Sequence, residues 1–161
     1  MNTLNPLLLI LGLFGFSEDL RAGECSLPAG GERFAVSSDP EFIAYLEAMA
    51  WVESSFLPDA HSSAGAQGLL QLTPPGVAAA CEECNQVLPS LFQLVVVGQN
   101  IRLASCLLRR YKREAGGNWV GALILYHGGY KQLFRWQKTG KMHVSTEHYV
   151  VQVLWRKEEC K

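Results

Sequence analysis

Glu53 is the residue whose placement most suggests chemistry. It follows Met49 by four positions and Leu46 by seven, so in a helix its carboxyl turns toward the apolar face. It also precedes Ser54-Ser55-Phe56-Leu57-Pro58, where a helix has to end. Desolvation disfavours the carboxylate there, and so does the negative end of the helix dipole. Both predict a pKa above the ordinary value of about 4.3. A general acid working near neutral pH needs that property. From position alone, a helix-end glutamate turned toward solvent is the more ordinary reading.

The cysteines offer less. There are five, Cys25, Cys81, Cys84, Cys106 and Cys160, and an odd number leaves an unpaired thiol within a monomer. Cys81-Glu82-Glu83-Cys84 is a CxxC without a second ligand pair or a preceding strand, so neither a zinc site nor a thioredoxin-like centre is expected. A structural disulfide from this pair to Cys106 is the expectation, and a Cys25–Cys160 bridge would staple the chain's ends. No metal or cofactor is called for.

The elements that must hold Glu53 read as helices. Asp39-Pro40-Glu41 is a start signal, with a capping Asp, Pro at the first helical position and an acid in the first turn. Phe42, Leu46, Met49, Ile43 and Ala50 then recur at the spacing of one helix face. Gly68 to Leu72 is expected to form a short helical turn stopped by Pro74-Pro75. Ser90 to Tyr111 is expected as one long helix, its end marked by Arg109, Arg110, Lys112 and Arg113. Asn118 should cap a helix from Trp119 to His127, ended by Gly128-Gly129, and a last helix should run from Thr146 to Lys157. No alternating β segment and no internal repeat is present, so the fold is read as mainly α.

A chain of 161 residues suits one domain. Its 48% hydrophobic and 18% charged residues exclude a disordered chain. A net charge of −1 gives no basic footprint for nucleic acid. Residues 1–23 form an apolar leader, with Leu7 to Phe16 almost wholly apolar and no Lys or Arg before it. The run is shorter than the roughly 20 residues that span a bilayer. It reads as a secretory signal with Ala22 as a cleavage residue, or else as a short apolar helix docked on a partner or on the domain itself, and residues 7–16 are also a candidate for membrane contact. Residues 24–161 form the remaining domain.

From Glu53 to Pro74 the chain reads ESSFLPDAHSSAGAQGLLQLTP. This closely resembles the soluble lytic transglycosylase signature ESxFxPxAxSxxGAxGLMQxMP, in register and without a gap. Asn100-Ile101 with Leu107-Leu108 is similar to the family's NI…YL helix. Ala122-Leu123-Ile124-Leu125-Tyr126-His127-Gly128-Gly129 is similar to its ALAAYNAG segment, and Tyr149 to Leu154 to its closing YVxxVL. The resemblance covers about residues 39 to 156. It implies a goose-type lysozyme-like helical domain with a saccharide-binding cleft and Glu53 as the catalytic acid and base. Ser62, Gln71 and Tyr126 match positions lining the cleft, and His127 and Tyr149, in the matching blocks, join them as substrate-binding candidates. Hydroxyl and amide groups suit a sugar's hydroxyl and N-acetyl groups, and Tyr126 could donate a hydrogen bond that steadies the carboxyl.

Departures touch substrate fit more than chemistry. His127 stands where the family has Asn, Tyr130 follows Gly129 in place of a small residue, Thr73 replaces Met, and Ser145 replaces a Glu. Asp59 is the only other acid in the core motif, whereas ordinary glycosidases use two carboxylates. The implied activity is cleavage of the MurNAc-GlcNAc β-1,4 bond of peptidoglycan, with Glu53 protonating the leaving oxygen and then deprotonating the C6 hydroxyl to give a 1,6-anhydro product. The alternatives are a hydrolytic muramidase, or a non-catalytic glycan-binding module of a secretion apparatus or phage particle. Peptidoglycan strands are the expected partner, beside secretion-machine or phage-particle proteins. The expected location is the periplasm or cell envelope, or else a virion component acting there during entry.

Overall fold

The computed structural model describes residues 27–28 and 37–160. The apolar run 7–16, the cleavage candidate Ala22 and Cys25 lie outside the described residues. Six helices follow one another among those described: α1 Pro40–Ser54, α2 Pro74–Cys84, α3 Leu91–Leu94, α4 Val97–Glu114, α5 Trp119–Thr139 and α6 Val144–Glu159. The only β pairing among these residues is a pair of isolated bridges, His61 with Gln67 and Gln67 with Leu72.

α1 begins as its sequence dictates. The Asp39 side chain accepts from the Glu41 amide at 3.0 Å, satisfying a donor that the first turn leaves free, and Pro40 opens the helix without needing one. Its end is less ordinary. Ser55 and Phe56 both take left-handed backbone conformations, with φ of 53° and 63°, which turns the chain sharply away after Ser54. The Ser54 hydroxyl donates toward the carbonyls of Ala50 (3.1 Å) and Leu69 (2.7 Å). The last turn of α1 is thereby tied to the loop that follows it.

That loop, residues 55–73, lies over the core without forming a helix. Gly68 has φ +75° and Gln71 φ +45°, and neither fits an α-helical turn. The expected short helix over Gly68 to Leu72 is therefore a set of tight turns closed by the Gln67–Leu72 bridge. A side chain at Gly68 would collide with the Asn100 amide and the Leu94 carbonyl, so this position requires glycine for space as well as for conformation. Pro74-Pro75 does not stop a helix. It starts α2, capped by the Thr73 hydroxyl, which accepts from the Gly76 amide at 3.3 Å.

The expected single helix over Ser90 to Tyr111 is divided into α3 and α4. Val96 is extended (φ −74°, ψ 117°) and serves as the N-cap of α4. The β-branched run Val95–Val97 favours such a break, and Asn100 takes over the carbonyl of Leu94. α5 is capped by Asn118 as expected, its side chain accepting from the Gly121 amide at 2.9 Å. It does not end at Gly128-Gly129: Gly129 (φ 70°, ψ −177°) bends the chain, and helix resumes to Thr139, closed by left-handed Gly140. α6 exceeds its expected span by two residues at each end.

α4 is central, packing on α2 and α5, while α1 packs on α6 and α5 on α6. Leu46 and Met49 of α1, Leu69, Leu70 and Leu72 of the loop, Ile101 and Leu108 of α4, Leu123 and Ile124 of α5 and Val153 of α6 fill one core. Cys84 at the end of α2 is bridged to Cys106 of α4 (Cα–Cα 5.9 Å), as expected for the CxxC pair, and Cys81 is a buried free thiol. Cys160 is also disulfide-bonded.

Candidate active site

Two helices and one loop converge on Glu53. α1 carries it in its last turn, next to the Ser54 anchor. α6 lies along α1 and brings the Tyr149 ring, 5% exposed, to the same place. α5 contributes Tyr126 just before its bend. Burial first, and then the charge of Glu53, pushes both the Tyr126 and the Tyr149 phenol well above their ordinary range, with smaller contributions from Tyr111 on Tyr126 and from Tyr126 on Tyr149.

Burial raises the Glu53 carboxyl to about 7, and the Tyr149 hydroxyl opposes part of that rise. The hydroxyl faces the carboxyl closely enough to act on it, but too loosely to form a well-aligned hydrogen bond, so it has no partner of good geometry. No carboxylate is among the causes of the shift. Asp59 and Glu147 are exposed. Glu82 and Glu114 pair with Arg110 at 3.1 and 3.0 Å, and Glu83 pairs with Arg113 through two bonds of 2.8 and 2.7 Å. Glu53 is a half-buried acid whose carboxyl is raised to about 7, the condition near neutral pH for giving up and then taking back one proton.

The other sequence candidates divide into two groups. Tyr126 stands beside Glu53 but donates its hydroxyl to the Leu70 carbonyl at 2.7 Å rather than to the carboxyl, so it steadies the loop floor. His127 stacks on Tyr149, with ring centroids 4.6 Å apart and planes 20° from parallel, while part of its ring stays exposed. Burial of the remainder lowers its pKa from 6.5, which keeps the imidazole neutral at neutral pH. Ser62 and Gln71 serve the loop. The Ser62 hydroxyl accepts from the Ala66 amide at 3.0 Å, and the Gln71 amide donates to the carbonyls of Ala60 and Gly68 at 3.1 and 2.9 Å. Neither bonds to Glu53. Tyr149 is enclosed and faces the acid instead of open solvent.

Asn100 was not singled out as a functional residue by its sequence, only as part of a matching block. It is fully buried, accepts from the Leu70 amide at 2.8 Å and donates to the carbonyls of Leu94 (2.8 Å) and Gln67 (3.1 Å). One side chain thus ties α4 to the loop on both sides of Gly68. Its place four residues before Ala104 and seven before Leu107, on the apolar stripe of α4, was the available signal. For Tyr149 the signal was periodicity: Thr146, Tyr149, Val150 and Val153 form the buried stripe of α6. Among the described residues no group of three or more His, Cys, Asp or Glu is placed to hold a metal ion.

The family model for the transglycosylase SLT domain matches residues 37–148. No curated protein matches the chain in sequence. Among solved structures, an inactive mutant of the lytic transglycosylase Slt from Pseudomonas aeruginosa, in which a glutamate is replaced by glutamine, is similar at 29% identity and a TM-score of 0.65 over 71% of this chain and 20% of that one. The 70 kDa soluble lytic transglycosylase of Escherichia coli is similar at 23% identity and a TM-score of 0.67, covering 73% of this chain and 21% of its own. The 70 kDa soluble lytic transglycosylase in complex with bulgecin A gives 22% identity and a TM-score of 0.67, over 79% and 24%. The chain spans only a fifth to a quarter of the length of these proteins. Their likeness makes the fold mainly α and lysozyme-like, as expected.

Proposed function

The chain belongs to the transglycosylase SLT domain family, and from that premise we propose that it is a peptidoglycan lytic transglycosylase with Glu53 as its one acid and base. The observation that carries this reading is the Glu53 carboxyl, raised by burial to about 7 beneath the Tyr149 hydroxyl, with no second carboxylate acting on it. A protonated Glu53 donates to the oxygen that links MurNAc to GlcNAc, and the bond breaks as positive charge grows at the sugar carbon. The substrate's own N-acetyl group stabilises that centre, the route open to enzymes lacking a carboxylate nucleophile. Glu53, now a carboxylate, accepts the proton of the C6 hydroxyl, whose oxygen closes the 1,6-anhydro ring. The acid returns to its starting state, and no water is consumed.

The protein's part is to keep one proton available and water away. Ser54 ties the loop to the helix that carries the acid, Asn100 ties it to α4, and Gln71 braces it internally, and such preorganisation lowers the barrier without movement during the reaction. His127, stacked on Tyr149 with an exposed edge, is the polar group best placed to meet the sugar. Action on the wall polymer puts the protein in the periplasm or cell envelope. Among the described residues no helix is long and apolar enough to cross a membrane.

The family relation supports this reading, and so does the inactivity of the glutamate-to-glutamine mutant of the Pseudomonas protein. Mass spectrometry of the fragments released from purified peptidoglycan tests it. Anhydro ends are expected, and they differ from hydrolysed ends by one water. Hydrolysed ends would make the protein a muramidase, and no fragments at all would make it a glycan-binding module.

A further inference from the structure

From Ala115 to Thr146 the sequence contains no acidic residue, and its cations are Lys131, Arg135, Lys138 and Lys141. This is a concentrated positive segment in a chain whose net charge is −1. All four lie beyond the Gly129 bend, in the second half of α5 and the turn after it. Lys131, Phe134, Arg135 and Lys138 are spaced i, i+3, i+4, i+7, so they share one stripe of the helix. Every one of them is exposed, Phe134 at 66%. The opposite side is anchored: Leu133 is buried, and the Gln132 side chain accepts from the His143 amide at 2.8 Å, joining the arm to the start of α6. Val144, the first residue of α6, is likewise 66% exposed beside it.

Two arginines of α4 are neutralised, Arg110 by Glu82 and Glu114 and Arg113 by Glu83. The four cations of the arm take part in no ion pair among the described residues. A row of like charges at this spacing repels itself weakly, and an anionic surface with an apolar layer beneath it complements both the cations and the exposed phenylalanine. We propose that this arm of α5 docks on an anionic phospholipid surface. Lys131, Arg135, Lys138 and Lys141 meet headgroup phosphates, and the Phe134 ring enters the boundary between headgroups and acyl chains. An aromatic group amid the cations fits a lipid interface better than a purely ionic polymer, which has no place for the ring. The arm begins at the Gly129 bend, beyond the half of α5 that bears Tyr126.

Flotation of the full chain with vesicles tests this directly. The wild type should float with phosphatidylglycerol-rich vesicles, stay behind with pure phosphatidylcholine, and be released as salt is raised. The triple variant Lys131→Gln/Arg135→Gln/Lys138→Gln should lose about 100-fold in partitioning, from about fivefold for each cation removed. Phe134→Ser alone should weaken binding with all charges kept. Residues 7–16 are common to all these proteins, so the differences report the arm alone. Equal flotation of wild type and triple variant would overturn the proposal, as would equal binding to both vesicle types. Arm-dependent binding to purified peptidoglycan in place of vesicles would overturn it too. If the triple variant fails to melt cooperatively, the salt dependence and Phe134→Ser decide.

Discussion

The Tyr149 hydroxyl faces the Glu53 carboxyl and pulls its pKa down while burial pushes it up, and the result is about 7. The two residues sit on helices far apart in sequence, α1 and α6, that pack side by side. Tyr149 is itself held by the His127 ring stacked at 4.6 Å. The acid's readiness therefore depends on packing between the first and last described helices.

The first expectation concerns the pH profile. The proposed reaction starts from protonated Glu53, so the alkaline limb of kcat/KM should fall with a midpoint near 7. Because the Tyr149 hydroxyl lowers that pKa, Tyr149→Phe should move the limb to higher pH. Rate profiles of both proteins on solubilised glycan strands provide the check. A limb that stays in place in the variant would show that the hydroxyl does not act on the acid.

The same shift predicts a stability effect. Glu53 ionises near 4.5 when unfolded and about 7 when folded, so between those values the native state binds more protons and stability falls as pH rises. Below pH 4.5 the group is neutral in both states and exacts no penalty. Above 7 the full penalty stands, up to about 3 kcal/mol. Glu53→Gln removes it, so the variant should gain on the wild type from pH 4 to pH 8. Urea unfolding across that range measures the difference, and a constant gap at all pH values would mean that the carboxyl is solvated.

Asn100 should matter to the fold as much as any core leucine. Its side chain satisfies the Leu70 amide and the carbonyls of Leu94 and Gln67 in a buried setting. Asn100→Ala leaves these groups without that partner and should cost about 3 kcal/mol. The loss should appear in denaturant midpoints and as faster hydrogen exchange at the Leu70 amide. A loss below about 0.5 kcal/mol would mean that water replaces the side chain freely.

Much of the helical framework was legible because its signals are local. Asp39-Pro40 and Asn118 cap the helices they precede, since a cap is decided by residues within one turn. Where one signal serves two purposes, local reading failed. Pro74-Pro75 could end one element or begin the next, and the Thr73 cap decided for the second. Val95–Val97 has apolar spacing that continues a helix and β-branching that breaks it; Asn100's capture of the Leu94 carbonyl accompanies the break. Glu53 was legible from its spacing on α1 and from the motif around it. The Tyr149 hydroxyl above it, and the use of the Tyr126 hydroxyl on Leu70 rather than on Glu53, were not. Those depend on how α5 and α6 seat against α1, which no short stretch of sequence encodes.

The proposed dependence of cleavage on Glu53 alone is measured by the turnover of Glu53→Gln on purified peptidoglycan. The substitution keeps the size of the side chain and removes its transferable proton, so the fold should persist with an unchanged circular dichroism spectrum. Release of soluble fragments should fall by about 100-fold or more, the scale of a single acid-base catalyst. Turnover within a few-fold of the wild type in a folded variant would mean that another group supplies the proton and that Glu53 is not the acid.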